Sequence, residues 1–245
     1  MQSLSKEFLD QCPVDVGFRL RGESMTRIEV FIDAAFAFAV TMLVISFDRI
    51  PQTFEEIVVA IKGIPAFVFA VAQLVWIWHA HSKWSERFGL KDTKTVALST
   101  ALLIVVLVYI YPMRIMLAGM FSWLSDGYLP SDFHLESAAE LASMFVFLGC
   151  GFVAFCAVFL LMYQHALLRR NELLLNEFEI YETETSALVW SGSAVIGVVS
   201  IVLALVLPPQ LLPFAGFGYA LLGAWIPLAI MYRGGSQPTG TTLSA

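Results

Sequence analysis

The sequence predicts an all-α integral membrane protein built from six transmembrane helices. Composition is the first reason, because 58% of the residues are hydrophobic, 14% are charged and the mean hydropathy is +0.77, far from a soluble globular domain. Length is the second reason, since a spanning helix needs about 20 apolar residues and six runs are long enough. These runs cover residues 29–47, 57–81, 95–119, 139–167, 186–207 and 211–232. They are too long for barrel strands and do not alternate as such strands do.

The first predicted helix opens with a capping signature and carries a mixed face. Thr26 followed three positions later by Glu29 is typical of a helix N-terminus. One face of this helix combines small, aromatic, hydroxyl and acidic groups, which suits a water-filled path, whereas a face toward lipid favours aliphatic side chains. The alternative interpretation of this face is a packing contact with another helix. Spacings of four and three place these groups on one face: Ala34, Phe38, Thr41, Ile45 and Asp48.

Asp33 lies inside the same apolar run. An ionisable group in a spanning helix is costly and usually faces a bundle interior or a water-filled path, so it marks a functional site. Arg27 is six residues away, about 9 Å along the axis, and cannot pair with it within the helix. We therefore expect partners on neighbouring helices and predict His79 for Asp33. Trp76 and Trp78, beside His79, are interpreted as interfacial anchors.

The remaining runs are interpreted as scaffold around the first helix. Arg169 and Arg170 precede several glutamates, among which Leu174, Phe178 and Tyr181 fall at helical spacing, so the fourth helix is expected to extend beyond the membrane. Ser193 and Gly197 give the fifth helix the small-residue spacing of closely packed membrane helices. Pro213 is expected to start the sixth helix and Pro227 to kink it.

The spans form one predicted domain at residues 1–233, followed by a Gly-, Ser- and Thr-rich tail at 234–245 that is expected to be disordered. Lysine and arginine divide eleven to three between the two sides of the membrane. The positive-inside rule then predicts a multi-pass protein with both termini in the cytoplasm. The net charge is −6 and no basic patch is present, so nucleic acid is not an expected partner, whereas the lipid bilayer is.

An enzyme or metal site is not predicted, so we expect no catalytic residues and no cofactor. His79 and His81 are the only close histidine pair, and side chains two apart on a helix diverge by about 200°. His134 and His165 lie in other parts of the chain, so no helix face collects three zinc ligands. The sequence also lacks a G-x-S-x-G nucleophile motif.

The first two helices carry the signature of a known channel family. An arginine, then Phe-x-Asp, then a threonine on the first helix, together with aromatic and histidine positions on the second and a proline late in the third, resembles the endosomal and lysosomal potassium channels called transmembrane protein 175. Bacterial members with one six-helix repeat per subunit are the most similar type. The matching residues are Arg27, Phe31, Asp33, Thr41, Phe69, Trp76, His79 and Pro112.

The resemblance implies a homotetrameric potassium channel in a bacterial inner or plasma membrane, with a pore lined by the first helices. Ala34 would line that pore, Phe38 and Ile45 would form dry constrictions, Thr41 would offer oxygen to cations, and Asp48 would concentrate cations at the outer end. Selection would fall to side chains, because the chain has no Thr-Val-Gly-Tyr-Gly carbonyl filter. A polar network that supports gating would comprise Arg27, Asp33, His79 and Trp76.

Four positions depart from the family pattern. The signature serine and glycine are Ile32 and Ala34, and a second histidine is replaced by Ala80. Phe38 stands where the family places an aliphatic constriction, so four phenylalanine rings could plug the pore. Two alternatives therefore stay open: a secondary cation or proton transporter, for which no inverted repeat is visible, and a non-conducting scaffold of the same fold.

Overall fold

The computed structural model describes residues 4–22, 24–45, 52–131 and 135–234, which are mostly helical. A short helix α1 (Lys6–Gln11) and an antiparallel hairpin of β1 (Val14–Asp15) and β2 (Phe18–Arg19) come first. The other helices follow in chain order, with 3-10 turns at Pro209–Leu211 and Gly218–Leu221. They are α2 (Arg27–Ile45), α3 (Phe54–Lys62), α4 (Ile64–Phe88), α5 (Thr93–Leu124), α6 (Ala138–Leu168), α7 (Glu177–Val206), α8 (Pro213–Phe217) and α9 (Leu222–Gly234).

The helical membrane fold is confirmed in the described residues. Five segments there are long and apolar enough to cross a bilayer: Ile64–Phe88, Thr93–Leu124, Ala138–Leu168, Glu177–Val206 and Pro209–Gly234. The first predicted span, residues 29–47, corresponds to the 19 residues of α2, and its predicted end lies within residues 46–51, outside the described part. The count of six spans therefore stays a prediction.

The second and fourth spans differ from their predicted limits. Gly63 ends α3 and precedes Pro65 in the first turn of α4, so the predicted run splits and the spanning helix begins seven residues later than expected. The expected extension of the fourth helix is wrong, because α6 ends at Leu168. Asn176 and Glu179 instead form a capping box that starts α7, which carries the charged residues.

Aromatic residues fill the centre of the bundle, where α6 and α7 make the most extensive helix contact of the described residues. The rings of Phe159 and Trp190 stack at 4.2 Å between centroids, and Phe155 packs edge-on to Trp190. A Cβ atom at Gly197 would approach Val153 to 2.8 Å, which confirms close packing at the predicted small position.

We call the end of the bundle that carries the starts of α5 and α7 the basal end, and the opposite end the apical end. The N-terminal segment 4–22 lies on the basal end. There the Arg21 guanidinium donates to both carboxylate oxygens of Glu179, at 3.0 and 2.7 Å, and both side chains are buried. The sequence indicated neither this ordered segment nor its ion pair.

Candidate functional site

Helix α2 has one buried face and one exposed face. Ile32, Phe36, Ala39 and Leu43 recur at spacings of three and four and are at most 3% exposed, because this stripe packs against α4 and α5. The opposite side of the helix is accessible, and Phe38 keeps 58% of its surface exposed. The single chain therefore buries an aliphatic and aromatic stripe and leaves the mixed face open.

Three of the predicted site residues share that open face. Ala34, Phe38 and Thr41 are all exposed. The Thr41 hydroxyl donates to the Ala37 carbonyl oxygen at 3.2 Å, so its own oxygen keeps acceptor capacity toward the outside. Ile45 is the last residue of α2 and its side chain is not described, and Asp48 lies outside the described residues.

Hydrogen bonds at the start of α2 tie this helix to α4. The Thr26 hydroxyl accepts from the Glu29 amide at 3.3 Å, and the Glu29 carboxylate accepts from the Thr26 amide, which confirms the predicted capping signature. The same carboxylate also accepts from the hydroxyl of Ser85, which is 6% exposed on α4. Glu29 thus caps its own helix and fixes it to a neighbour.

Asp33 has a different partner from the one predicted. The indole nitrogen Nε1 of Trp78 donates to its carboxylate at 2.8 Å, whereas His79 is exposed. Adjacent residues on a helix point about 100° apart, so only one of these two side chains can face α2. Trp78 therefore anchors α2 to α4.

Helix α4 carries a stripe of polar side chains that the sequence analysis did not predict. Trp78, His81 and Ser85 recur at spacings of three and four and so share one face. His81 is 2% exposed, and its Nε2 lies 3.0 Å from the Ser99 hydroxyl of α5. The helical spacing of these three hydrogen-bonding side chains was the signal that could have identified them.

The other two members of the predicted network lie elsewhere. Arg27 is exposed at the first position of α2. Trp76 is 44% exposed, and its ring centroid lies 5.4 Å from that of Trp190 on α7. The residues that the structure brings to Glu29 and Asp33 are thus different from those predicted.

A second polar cluster closes the basal end between α5 and α6. The Asp92 carboxylate lies 2.8 Å from His165 Nε2 and 3.1 Å from a guanidinium nitrogen of Arg169. Burial by itself raises the pKa of Asp92, but hydrogen bonds from the hydroxyl and amide of Thr95 and from His165 outweigh it and hold the pKa below its ordinary value. In the described ranges, no group of three or more His, Cys, Asp or Glu side chains could hold a metal ion.

Comparisons with known proteins point to one family. The family model described as endosomal/lysosomal potassium channel TMEM175 matches residues 27–110, which run from the start of α2 into α5. A potassium channel of Marivirga tractuosa is 33% identical over 238 residues, which cover 94% of each chain. The crystal structure of the potassium channel MtTMEM175, a threonine-to-alanine variant bound to a nanobody–MBP fusion, matches with a TM-score of 0.78 and 31% identity, over 92% of this chain and 99% of that one.

Proposed function

This chain belongs to the TMEM175 family of potassium channels, and from that premise we propose that four copies assemble around a pore lined by α2. Each copy contributes the predicted six-helix domain of residues 1–233. The pore selects and gates with side chains, and its narrowest dry ring is formed by Phe38. Potassium ions and membrane lipid are the partners of this assembly.

The open face of α2 is the observation that carries the proposal. Ile32 and Leu43 are each 1% exposed on the side that the chain covers itself, whereas Phe38 and Thr41 are exposed. A hydroxyl on an otherwise apolar outward face is poorly suited to lipid tails but suits a partly hydrated cation. Four copies arranged with this face toward a common axis would bring four Thr41 hydroxyls and four Phe38 rings together.

Phe38 and Thr41 would do different work in that arrangement. A ring of four apolar side chains expels water when it is narrow, so the Phe38 ring opposes ion passage unless the helices move apart or the rings rotate. The Thr41 oxygens, three residues further along α2, replace part of the water around a cation. At the end of α2, Ile45 would add a second apolar ring, and Asp48, outside the described residues, would attract cations.

The anchors at the start of α2 set its rotation about its own axis. Glu29 and Asp33 are each held to α4 by a hydrogen bond, from Ser85 and from Trp78. Two bonds one turn apart on the same helix restrict both tilt and rotation, and rotation decides which side chains face the axis. The polar groups therefore act on conduction by positioning Phe38 rather than by contacting ions.

Potassium flux from liposomes that hold the purified protein tests the proposal, with sodium and proton controls. Phe38→Ile should raise the flux because the smaller side chain leaves a wider opening at the constriction, and Thr41→Ala should alter the preference among cations. Phe147→Ile is the matched control, because Phe147 is 46% exposed but lies on α6. It should behave like the parent.

Other outcomes separate the alternatives. Flux in Phe38→Ile alone would mean a plugged pore on the channel fold, and flux that saturates and requires a countercurrent of protons would indicate a transporter. If the parent, Phe38→Ile and Thr41→Ala all behaved alike, α2 would not line the path. Native mass measurement in detergent tests the assembly, since four copies give four times 27.2 kDa.

We also propose that both termini lie in the cytoplasm of a bacterial inner membrane, as the eleven-to-three division of lysine and arginine indicates. Fusing a reporter that is active only in the cytoplasm to the C-terminus tests the orientation. An inactive reporter on a stable fusion would reverse it.

A further inference from the structure

A cavity of about 620 Å³ lies in the apical half of the bundle, apart from the open face of α2. Its walls come from α4, α5, α6 and the last helical segments, Pro213–Leu222. Methionine, leucine and aromatic side chains form most of this wall, and none of the lining residues that the structure describes is charged. The volume falls within the range of about 300–1,000 Å³ that is typical of small-molecule sites.

The cavity has one polar corner. The Gln73 side-chain amide donates to the Tyr109 hydroxyl at 3.3 Å, and both residues line the cavity. The Tyr219 hydroxyl also belongs to the lining, is buried, and has no hydrogen-bond partner in the part of the chain that the structure describes. The neighbouring Ser200 hydroxyl gives its proton to the Ala215 carbonyl oxygen at 2.8 Å, so it cannot donate to the Tyr219 oxygen, which stays open to a ligand donor. A buried hydroxyl without a partner costs free energy, and a ligand oxygen would remove that cost.

We propose that this cavity binds a neutral, single-chain amphiphile whose hydroxyl bonds to Tyr219 and whose hydrocarbon chain fills the apolar volume. The lining selects against a charged head group, because its described residues offer no cationic or anionic side chain to offset the desolvation of that head group. It also selects against a plain hydrocarbon, which leaves the Tyr219 hydroxyl unpaired. Water alone fits poorly, since each buried water needs two to four polar partners and most of this wall offers none.

Gly119 gives a way to close the cavity without disturbing the backbone. It lines the cavity on α5, and a Cβ atom built there meets no atom within 4 Å. Gly223 on α9 has the same open space but is not part of the lining. Gly119→Leu and Gly223→Leu are therefore the same change in helices of the same bundle, one inside the site and one outside.

The test uses the full chain in nanodiscs and a diazirine-bearing dodecanol, with labelled peptides identified by mass spectrometry and unlabelled 1-dodecanol as competitor. The parent should label saturably in α5 and near Tyr219, and dodecanol should abolish that labelling. Gly119→Leu should lose at least tenfold in affinity, and Gly223→Leu should match the parent. Tyr219→Phe, which removes only the hydroxyl, should weaken binding about fivefold, the usual effect of one neutral hydrogen bond.

Two further competitors test the ligand class. Dodecane should compete about fivefold less well than dodecanol, since it lacks the oxygen, and ionised dodecanoate should compete far less well than either. Equal competition by dodecane and dodecanol, or an unchanged affinity in Tyr219→Phe, would overturn the role of the hydroxyl. Labelling that Gly119→Leu does not reduce, or labelling spread along all lipid-facing helices, would overturn the site. Potassium flux is not needed for any of these readouts, so the site and the pore can fail separately.

Discussion

Removing one half of the buried Arg21–Glu179 ion pair is expected to release the N-terminal segment from the basal end. The two side chains are 1% and 0% exposed. The Glu179 carboxylate accepts two hydrogen bonds from the guanidinium, one from the Arg19 amide at 2.9 Å and one from the Asn176 amide at 3.0 Å. Arg21→Met leaves that carboxylate charged and buried, and Glu179→Gln leaves the guanidinium charged and buried.

Breaking a buried pair from one side costs about 3–5 kcal/mol, because the remaining charge is desolvated without its partner. At tenfold for each 1.4 kcal/mol, the undocked population of the segment should rise about 140- to 3,700-fold. The double variant Arg21→Met/Glu179→Gln leaves neither charge, and its glutamine can still accept from the Arg19 amide. We therefore expect it to lose no more than either single variant.

Limited trypsin digestion in detergent measures this population through cleavage after Arg19, provided that cleavage is slow relative to redocking. The control pair is Arg233 and Glu184, 2.7 Å apart but 25% and 46% exposed, where Arg233→Met should change stability by less than about 1 kcal/mol. The reasoning fails if Arg21→Met and Glu179→Gln raise the cleavage rate no more than this control does. It also fails if the double variant is cleaved faster than both single variants.

Three further predictions concern the helix ends and anchors. Gly89→Ala should lower the melting temperature more than Gly127→Ala, although both glycines have positive φ, at +56° and +80°. Only at Gly89 would the new Cβ meet a backbone carbonyl oxygen, at 2.6 Å. This clash adds to the roughly 1–2 kcal/mol cost of placing alanine in the left-handed backbone conformation. Trp78→Phe should cost about 2 kcal/mol in thermal unfolding, the usual loss of a hydrogen bond to a charged group such as Asp33, and no loss would remove Trp78 as an anchor. The pKa of Asp92 is lowered in the fold, so its ionised form contributes stability above the ordinary value of 3.8 and loses that contribution as the pH falls through the folded-state pKa. The melting-temperature difference between the parent and Asp92→Asn should hold down to about pH 4 and shrink below it, and a difference that grew on acidification would refute this.

Helix α2, the predicted pore-lining helix, shows what local sequence patterns can and cannot predict. The start of α2 followed from Thr26 and Glu29, and the separation of its two faces followed from residue spacing, since both depend on residues within a turn or two. The choice between Trp78 and His79 as the partner of Asp33 could not be predicted, because it depends on how α4 is rotated against α2. A spacing pattern gives the faces of one helix but not which face a neighbour meets.

Two residues of the sequence indicate that the second predicted span is split into two helices. Gly63 and Pro65 are ordinary signals for the end of one helix and the start of another, yet the apolar run continued through them. The capping box at Asn176 and Glu179 was a signal of the same kind, but the helical spacing of Leu174, Phe178 and Tyr181 across it favoured one continuous helix.

The sequence alone determined that this chain is a helical membrane protein, where most of its helices lie, and which face of the first helix differs from the rest. Hydropathy and periodicity depend on residues that are close in the sequence, so they can be determined without knowledge of the fold. Only the tertiary structure decided the pairing of Arg21 with Glu179, which are 158 positions apart, the tie between Glu29 and Ser85, and the cavity beside Tyr219. Each of these depends on the packing of helices that are distant in the chain, where a rotation of one helix by a single residue exchanges one partner for another.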